Sequence, residues 1–276
     1  MVLLLLLLVL GQPASRAAEF PPPDEFARRI RQALEADERL QQELTYLERR
    51  RDVKISKLGK VTIGPLRTFE VYPSDRPGGT YKRLIEVDGK PLTAAEQARR
   101  DAEHQRDLAK EAERRRGETP GQREERTTKA EDERRHRQAM LDDAMAVFEP
   151  VFVGREIIEG EQVIVADLKP RAGVRTKTRE GRWMKYFAGR IWVDDSDYQV
   201  VRLDMRAVDD LTIGWGIVGR LHRGSRLWFS RRKFNELWVA AEMTYEASGR
   251  TLLFRPFQFT VTTTYSDYKR RAPPSQ

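Results

Sequence analysis

The densest group of side chains able to do chemistry is the stretch VDDSDYQ, in which Asp194, Asp195 and Asp197 crowd around Ser196. Carboxylates spaced like this hold calcium when they begin a loop with glycine at its sixth position and glutamate at its twelfth. Counted from Asp195, those positions carry Val200 and Arg206. The aspartates stand instead between two alternating runs, FAGRIWV and VVRLDM, where Asp and Ser bond to their own backbone. The cluster reads as a hairpin tip rather than a metal site.

Other candidates are thinner. His104, His136 and His222 are far apart, and none sits in a metal-ligand spacing. Ser225, in HRGSRLW, lacks the G-x-S-x-G setting of a nucleophile. GWGIVG opens no helix after a strand, so it reads as a bulged strand beside Trp215 and not as a phosphate cradle. The absence of cysteine removes disulfides, thiolate ligands, a cysteine nucleophile and a lipid-modified cysteine. We expect no catalytic residue, no metal and no cofactor, and read the chain as a non-enzyme.

The elements around these residues set the compartment and the architecture. MVLLLLLLVLGQPASRA is apolar, too short to span a bilayer, and ends in small residues that suit cleavage between Ala17 and Ala18. It reads as a signal peptide for export to the periplasm. No Lys or Arg precedes Arg16, so an uncleaved segment acting as an anchor is the alternative. The formal charge of +8 suits an anionic membrane surface rather than nucleic acid in that compartment, or serves solubility alone.

After FPPPDEF, apolar residues recur at Phe26, Ile30, Ala33, Leu40, Leu44 and Leu47, which predicts an amphipathic helix with one stripe to bury. Period two then takes over. Strands are expected at Val53 to Leu58, Arg67 to Tyr72 and Thr80 to Val87. TAAE, opening at Thr93, offers a capping box and begins a highly charged stretch. It reads as two helices broken at Gly117 to Gly121 and folded as a hairpin, each arm reaching on the order of 35 Å. A binding arm and a solvated, partly disordered one are both compatible with its thin apolar stripe.

Period two returns after Glu149, with strands expected at Val151 to Ile158, Gln162 to Pro170, Lys185 to Val193, Gln199 to Val208, Leu211 to Val218, Ser225 to Phe234, Leu237 to Ala247 and Phe257 to Ser266. The turns EGE, DDSD, FNE and ASGR between neighbours imply an antiparallel meander. Alternation gives an apolar face that includes Ile191, Val201, Leu203, Met205, Leu227, Phe229, Met243, Phe257 and Phe259, opposite a face with Arg202, Asp204, Glu242 and Thr264. Trp192, Trp228 and Trp238 share the polar parity, either as a docking row or as stacking that shields one side of the sheet under the insertion.

The run GRIWVDDSDYQVVRLDM, then GSRLWFSRRKF, then LWVAAEMTYEASGRTLLFRPFQFTVTTTYSDYK, behind a leader and an amphipathic helix, resembles the LolA, LolB and RseB superfamily. The resemblance is closest to exported members labelled outer-membrane lipoprotein-sorting proteins. It is strongest from Phe148 to Lys269, weaker from Asp24 to Leu92, and does not include Thr93 to Val147. It implies a curved antiparallel sheet forming an incomplete β-barrel covered by helices; with the amphipathic N-terminal helix and the charged helical-hairpin insertion read from the residues, the expected fold is mainly β with α. The expected organisation is 1–17 signal peptide, 18–92 helix and first strands of the half-barrel, 93–147 charged helical insertion, 148–270 meander completing the half-barrel and 271–276 disordered tail.

The same resemblance implies a cavity for acyl chains, whereas the bottom-up pattern admits a filled core equally well. The lining expected from shared parity and the helix stripe is Phe26, Ile30, Leu40, Leu44, Val201, Leu203, Met205, Phe229, Met243, Phe257 and Phe259. The expected function is a periplasmic carrier or sensor of a lipid or lipidated protein. The alternative is an RseB-like regulatory module that meets an envelope protein through residues 93–147.

Overall fold

The computed structural model describes residues 19–41, 43–56, 58–73, 80–213, 219–251 and 255–270, without the side chains of 38–41 and 213. The leader 1–17, the tail 271–276, most of the PSDRPGG turn and GWGIV lie outside them. Helix α1 (Pro23–Gln41) starts on proline with Asp24 and Glu25 in its first turn, where carboxylates suit the positive end of the helix dipole. Phe26, Ile30 and Ala33 form its buried stripe.

The helix is shorter than its stripe implied. Leu44 and Leu47 lie in strand β1 (Leu44–Ile55), which begins well before Val53. The spacing of Leu40, Leu44 and Leu47 suits a helix, but LTYL also has the β-branched and aromatic content of a strand. Tertiary pairing decides: β1 bonds to strands on both sides, which satisfies its backbone groups throughout the middle of the sheet.

The strands that follow are β2 (Val61–Ile63), β3 (Arg67–Pro73), β4 (Thr80–Val87) and β5 (Lys90–Pro91). Helices α2 (Ala94–Arg116) and α3 (Pro120–Val147) come next, each opened by a capping box, Thr93 with Glu96 and Thr119 with Gln122. Strands β6 (Phe148–Ile158) and β7 (Glu161–Pro170) lead to a short helix, α4 (Arg179–Met184), that the sequence pattern did not suggest. The rest is β8 (Phe187–Asp194), β9 (Val200–Ala207), β10 (Leu211–Ile213), β11 (Gly219–Leu221), β12 (Arg226–Phe234), β13 (Leu237–Thr251) and β14 (Arg255–Arg270).

All strands join one unclosed antiparallel sheet, in the order β5-β4-β3-β1-β14-β13-β12-β9-β8-β7-β6, with β2 beside β1 and the β10–β11 pair beside β13. This is an incomplete barrel with four helices among the described residues. The ASGR segment is not a turn: it lies inside β13, with Gly249 opposite Phe257. Gly249 is needed there, because a Cβ would strike the carbonyl of Arg220 and the Phe257 ring.

Cross-strand register defines the two faces. Ala166, Ile191, Leu203, Phe229, Met243 and Thr263 stand opposite one another in one row across β7 to β14. The adjacent row on the other face runs Val165, Trp192, Arg202, Ser230, Glu242 and Thr264. Val201 departs from its expected side. The β8–β9 register slips between Trp192 and Val193, so that Val193 faces Val200. A bulge adds a residue and breaks alternation. Val201 consequently packs with Ile158, Val163 and Trp238 in a second core that includes Trp192. Two of the three tryptophans thus help build this core with apolar side chains of the sheet itself.

The acidic turn is a hairpin tip whose key member is Asp194. Its Oδ1 accepts from the N–H and Oγ of Ser196 at 2.8 and 2.6 Å, and its Oδ2 from Trp238 Nε1 at 2.9 Å. Burial pushes the Asp194 carboxyl up, but these bonds together outweigh it and hold it below the usual carboxylate range. Asp195 pairs with Arg155 at 2.8 Å, and Asp197 accepts from the Gln199 N–H at 2.9 Å. Asp194→Ala is therefore expected to cost about 3 kcal/mol in urea melts, by orphaning the buried Trp238 and turn donors. Asp197→Asn, which keeps an acceptor, should change stability by less than about 0.5 kcal/mol. A comparable loss in both variants, or stabilisation of the wild type by calcium, would contradict this account.

Candidate functional site

The two faces of a sheet normally differ in polarity, but here the inner face also differs along its width. Under the start of α1 it is packed: Phe26, Ile30 and Ala33 meet Ile164, Ala166, Ile191, Val193 and Val200. Edge-on contacts of Phe26 with Phe152 and Tyr198, at 5.1 and 6.1 Å between ring centroids, lock the helix there. Toward β14 the cover rises off the sheet and leaves two adjoining chambers. The larger, about 730 Å³, lies between Met184 of α4 and a floor that includes Leu227, Met243, Phe259 and Val261. The smaller, about 280 Å³, lies under α1 between Ile30, Leu34, Met145 and Phe229. They share walls at Ala144, Phe148, Leu203 and Met205. The larger chamber is of the size that small ligands occupy, and both are lined chiefly by hydrocarbon.

Of the expected lining, Phe26, Ile30, Leu203, Met205, Phe229, Met243 and Phe259 are brought together here. Phe257 stacks beside Phe259, ring centroids 5.8 Å apart, and does not itself line a chamber. Leu44 and Val201 are elsewhere: Leu44 packs with Val239 and Tyr268, and Val201 in the second core. The side chain of Leu40 lies outside the described residues. The pattern missed Met184 and Arg231. Met184 closes a short helix announced only by Thr178, whose Oγ1 accepts from the Gly181 N–H at 2.9 Å. Arg231 had a clear signal, since it falls in step with Leu227 and Phe229 on the apolar side of its strand.

Two adjacent aspartates on α3 hold the cover in place. Asp143, 2% exposed, accepts from the N–H groups of Lys177 and Thr178 at 2.8 and 2.7 Å and from Thr178 Oγ1 at 2.6 Å. A Cβ on Gly181 would collide with that carboxylate, so glycine is what allows α4 to dock on α3. Burial pushes Asp143 up, and its three donors together outweigh it and leave it below the usual range. Asp142 ion-pairs with Arg31 of α1 and, at 3.0 Å, with Lys177. Its lowered carboxyl owes most to the bond from Lys177. Thus α1, α3 and α4 are tied at one point above the chambers.

The charged insertion takes a separate path. Arg83 of β4 donates to Asp101 through Nε and Nη2 at 2.8 and 2.7 Å, and Tyr81 stacks on His104 with 3.5 Å between centroids. Beyond that anchorage α2 buries no residue. Among the described residues no group of three or more His, Asp or Glu side chains could hold a metal, and no helix is long and apolar enough to cross a membrane.

No family model matches the sequence, and no curated protein aligns with it significantly. Solved structures do. One is described as an outer membrane lipoprotein-sorting protein domain from Vibrio parahaemolyticus, with 10% identity, 92% of this chain and 96% of that chain covered, and a TM-score of 0.35. The chain is similar to that domain. A DUF1329 family protein from Desulfovibrio piger shares 11% identity over 92% of this chain and 93% of its own, with a TM-score of 0.30. A chain of the Pseudomonas aeruginosa MucA/MucB complex shares 8% over 91% and 99%, with a TM-score of 0.23. What the site can do rests on its own residues.

Buried Asp143 and half-exposed Asp142 should behave differently. Asp143→Ala is expected to cost about 2 to 3 kcal/mol, because it strands buried donors, whereas Asp142→Ala should cost less than about 1 kcal/mol as a solvent-screened pair. The carboxyls of Asp143 and Asp194 are both lower in the folded chain than in the unfolded one. Their stabilisation is full above about pH 4 and is lost as pH falls through the lowered folded values. Urea melts of wild type and Asp143→Ala between neutral pH and pH 3 should converge toward the acid end; a constant difference would count against the assignment.

Proposed function

We propose that the chain is a non-enzymatic carrier or sensor of the bacterial periplasm that holds the acyl part of a lipid or lipidated protein between the inner sheet face and the α1–α3–α4 cover. One observation carries this reading: packed on α1 at one end, the inner face elsewhere leaves apolar space between the sheet and its cover. An acyl chain placed there gains roughly 0.8 kcal/mol for each methylene removed from water. No directional chemistry is needed. The basic exterior favours approach to anionic headgroups, which would bring the chain to the surface where such a cargo resides.

A specific observation also supports the regulatory alternative. From α2 to the last turns of α3, the charged insertion is exposed almost throughout, with Leu108 43% exposed on its thin apolar stripe. Such an arm can meet an envelope protein without disturbing the chambers. Capture of one envelope protein by the wild type, lost on charge reversal at Arg99, Arg106 and Arg114 with acyl binding intact, would favour it.

The carrier reading is tested by filling the space. Met243→Trp should block displacement of the apolar dye N-phenyl-naphthylamine by methyl laurate while changing stability by less than about 1 kcal/mol. Ala166→Trp, in the packed end, should cost about 3 kcal/mol, as overpacking of a solid core does. If the wild type binds neither dye nor ester, and Met243→Trp melts as badly as Ala166→Trp, the chambers are not a binding site.

A further inference from the structure

One side chain that lines this apolar space carries a buried polar atom with no bond. Arg231 lines the smaller chamber, and among the described residues no other charged side chain does. It is 8% exposed. Its Nη2 meets Asp37 Oδ2 at 2.7 Å and its Nη1 donates to Gln199 Oε1 at 2.8 Å. Gln199 Nε2 donates in turn to the Ala33 carbonyl at 3.2 Å. These bonds fasten β12 and the acidic hairpin to α1. They leave Nε, buried and without a partner. A guanidinium is a fork of five donors, and buried donors in folded proteins almost always find an acceptor.

We propose that Arg231 Nε is the docking point for the neutral carbonyl oxygen of an ester- or amide-linked acyl chain, whose hydrocarbon passes the shared wall at Leu203 and Met205 into the larger chamber. This rests on the acyl-binding reading above and specifies the polar joint of the ligand. Charge selects the carbonyl over a free carboxylate. Asp37 already stands against the guanidinium, so a fatty acid would bring a second anion into an apolar site next to the first. An ester or amide oxygen takes the N–H and adds no charge. Position agrees with this: the chamber walls around Arg231 are hydrocarbon, so a ligand that meets Nε must carry its one acceptor at the end of an apolar chain.

Three ligands of equal chain length separate the possibilities: methyl laurate, laurate and dodecane, each titrated against bound N-phenyl-naphthylamine. The wild type should bind methyl laurate about tenfold more tightly than dodecane, the order of one hydrogen bond from a guanidinium to a neutral carbonyl, and laurate no better than dodecane. Arg231→Lys keeps a cation opposite Asp37 and removes Nε. It should erase the ester's advantage and leave dodecane affinity unchanged. As an independent readout, the Arg231 Nε–H resonance of the wild type should move on adding methyl laurate and stay in place with dodecane, which decides the matter even if the lysine variant folds poorly. Equal binding of ester and alkane, tighter binding of laurate than of its ester, or an unmoved Nε–H signal would overturn the assignment alone. Binding of none of the three would overturn the carrier reading and this assignment with it.

Discussion

An antiparallel sheet that curls without closing exposes an inner apolar face that its own strands cannot cover, and the placement of the helices follows from that constraint. Strands β7 to β9 receive α1 at close range, because Phe26 and Ile30 reach between Ile164, Ile191 and Val200. Strands β12 to β14 receive only the end of α3 and the short α4, which touch the rim of the space rather than its floor. One surface is thus divided into a core that stabilises the fold and a void that can accept something else. The outer face solves the same problem differently, with tryptophan rings and a buried aspartate set among Ile158, Val163 and Val201.

Acids add to apolar contact in positioning the cover. Asp143 holds α4 through three donors, Asp37 meets Arg231 on the sheet, and Asp142 links α1 to α3. A buried ion pair adds little net stability once desolvation is counted, but it fixes which groups must face each other. That suits a lid over an apolar space. Hydrocarbon alone would let α1 slide and collapse into the chambers, whereas Asp37 and Asp142 admit few registers.

Much of the architecture was legible in local pattern. Alternation marked β3, β4, β7, β9 and β12 nearly to the residue, and Thr93 with Glu96 marked the start of α2, because these signals depend on neighbours within a few positions. The misplacements share another cause. Leu44 had to be assigned to helix or strand, and only the pairing of β1 with β14 and β3 settles it. Val201 obeys alternation in the sequence and violates it in the sheet, because the bulge opposite Val193 depends on how two strands meet. Residues Leu203, Met205, Phe229, Met243 and Phe259 could be grouped by parity, yet parity cannot say whether space or side chains lie above them. That depends on how far α3 and α4 stand off the sheet, which is set by Asp143 and Gly181 at a distance in the chain.

Helix α3 ends at Val147 and β6 begins at Phe148, with no residue between them. Phe148 is at once the last cap of the helix, the first rung of an edge strand and a wall of both chambers. The same insertion leaves the sheet at β5, the opposite edge, and returns at β6, so it joins the two edges of the unclosed sheet. A lid on a loose loop swings without disturbing what it covers. This one has no such hinge: lifting α3 twists the first rungs of β6, so moving the cover is mechanically coupled to loosening one lip of the barrel.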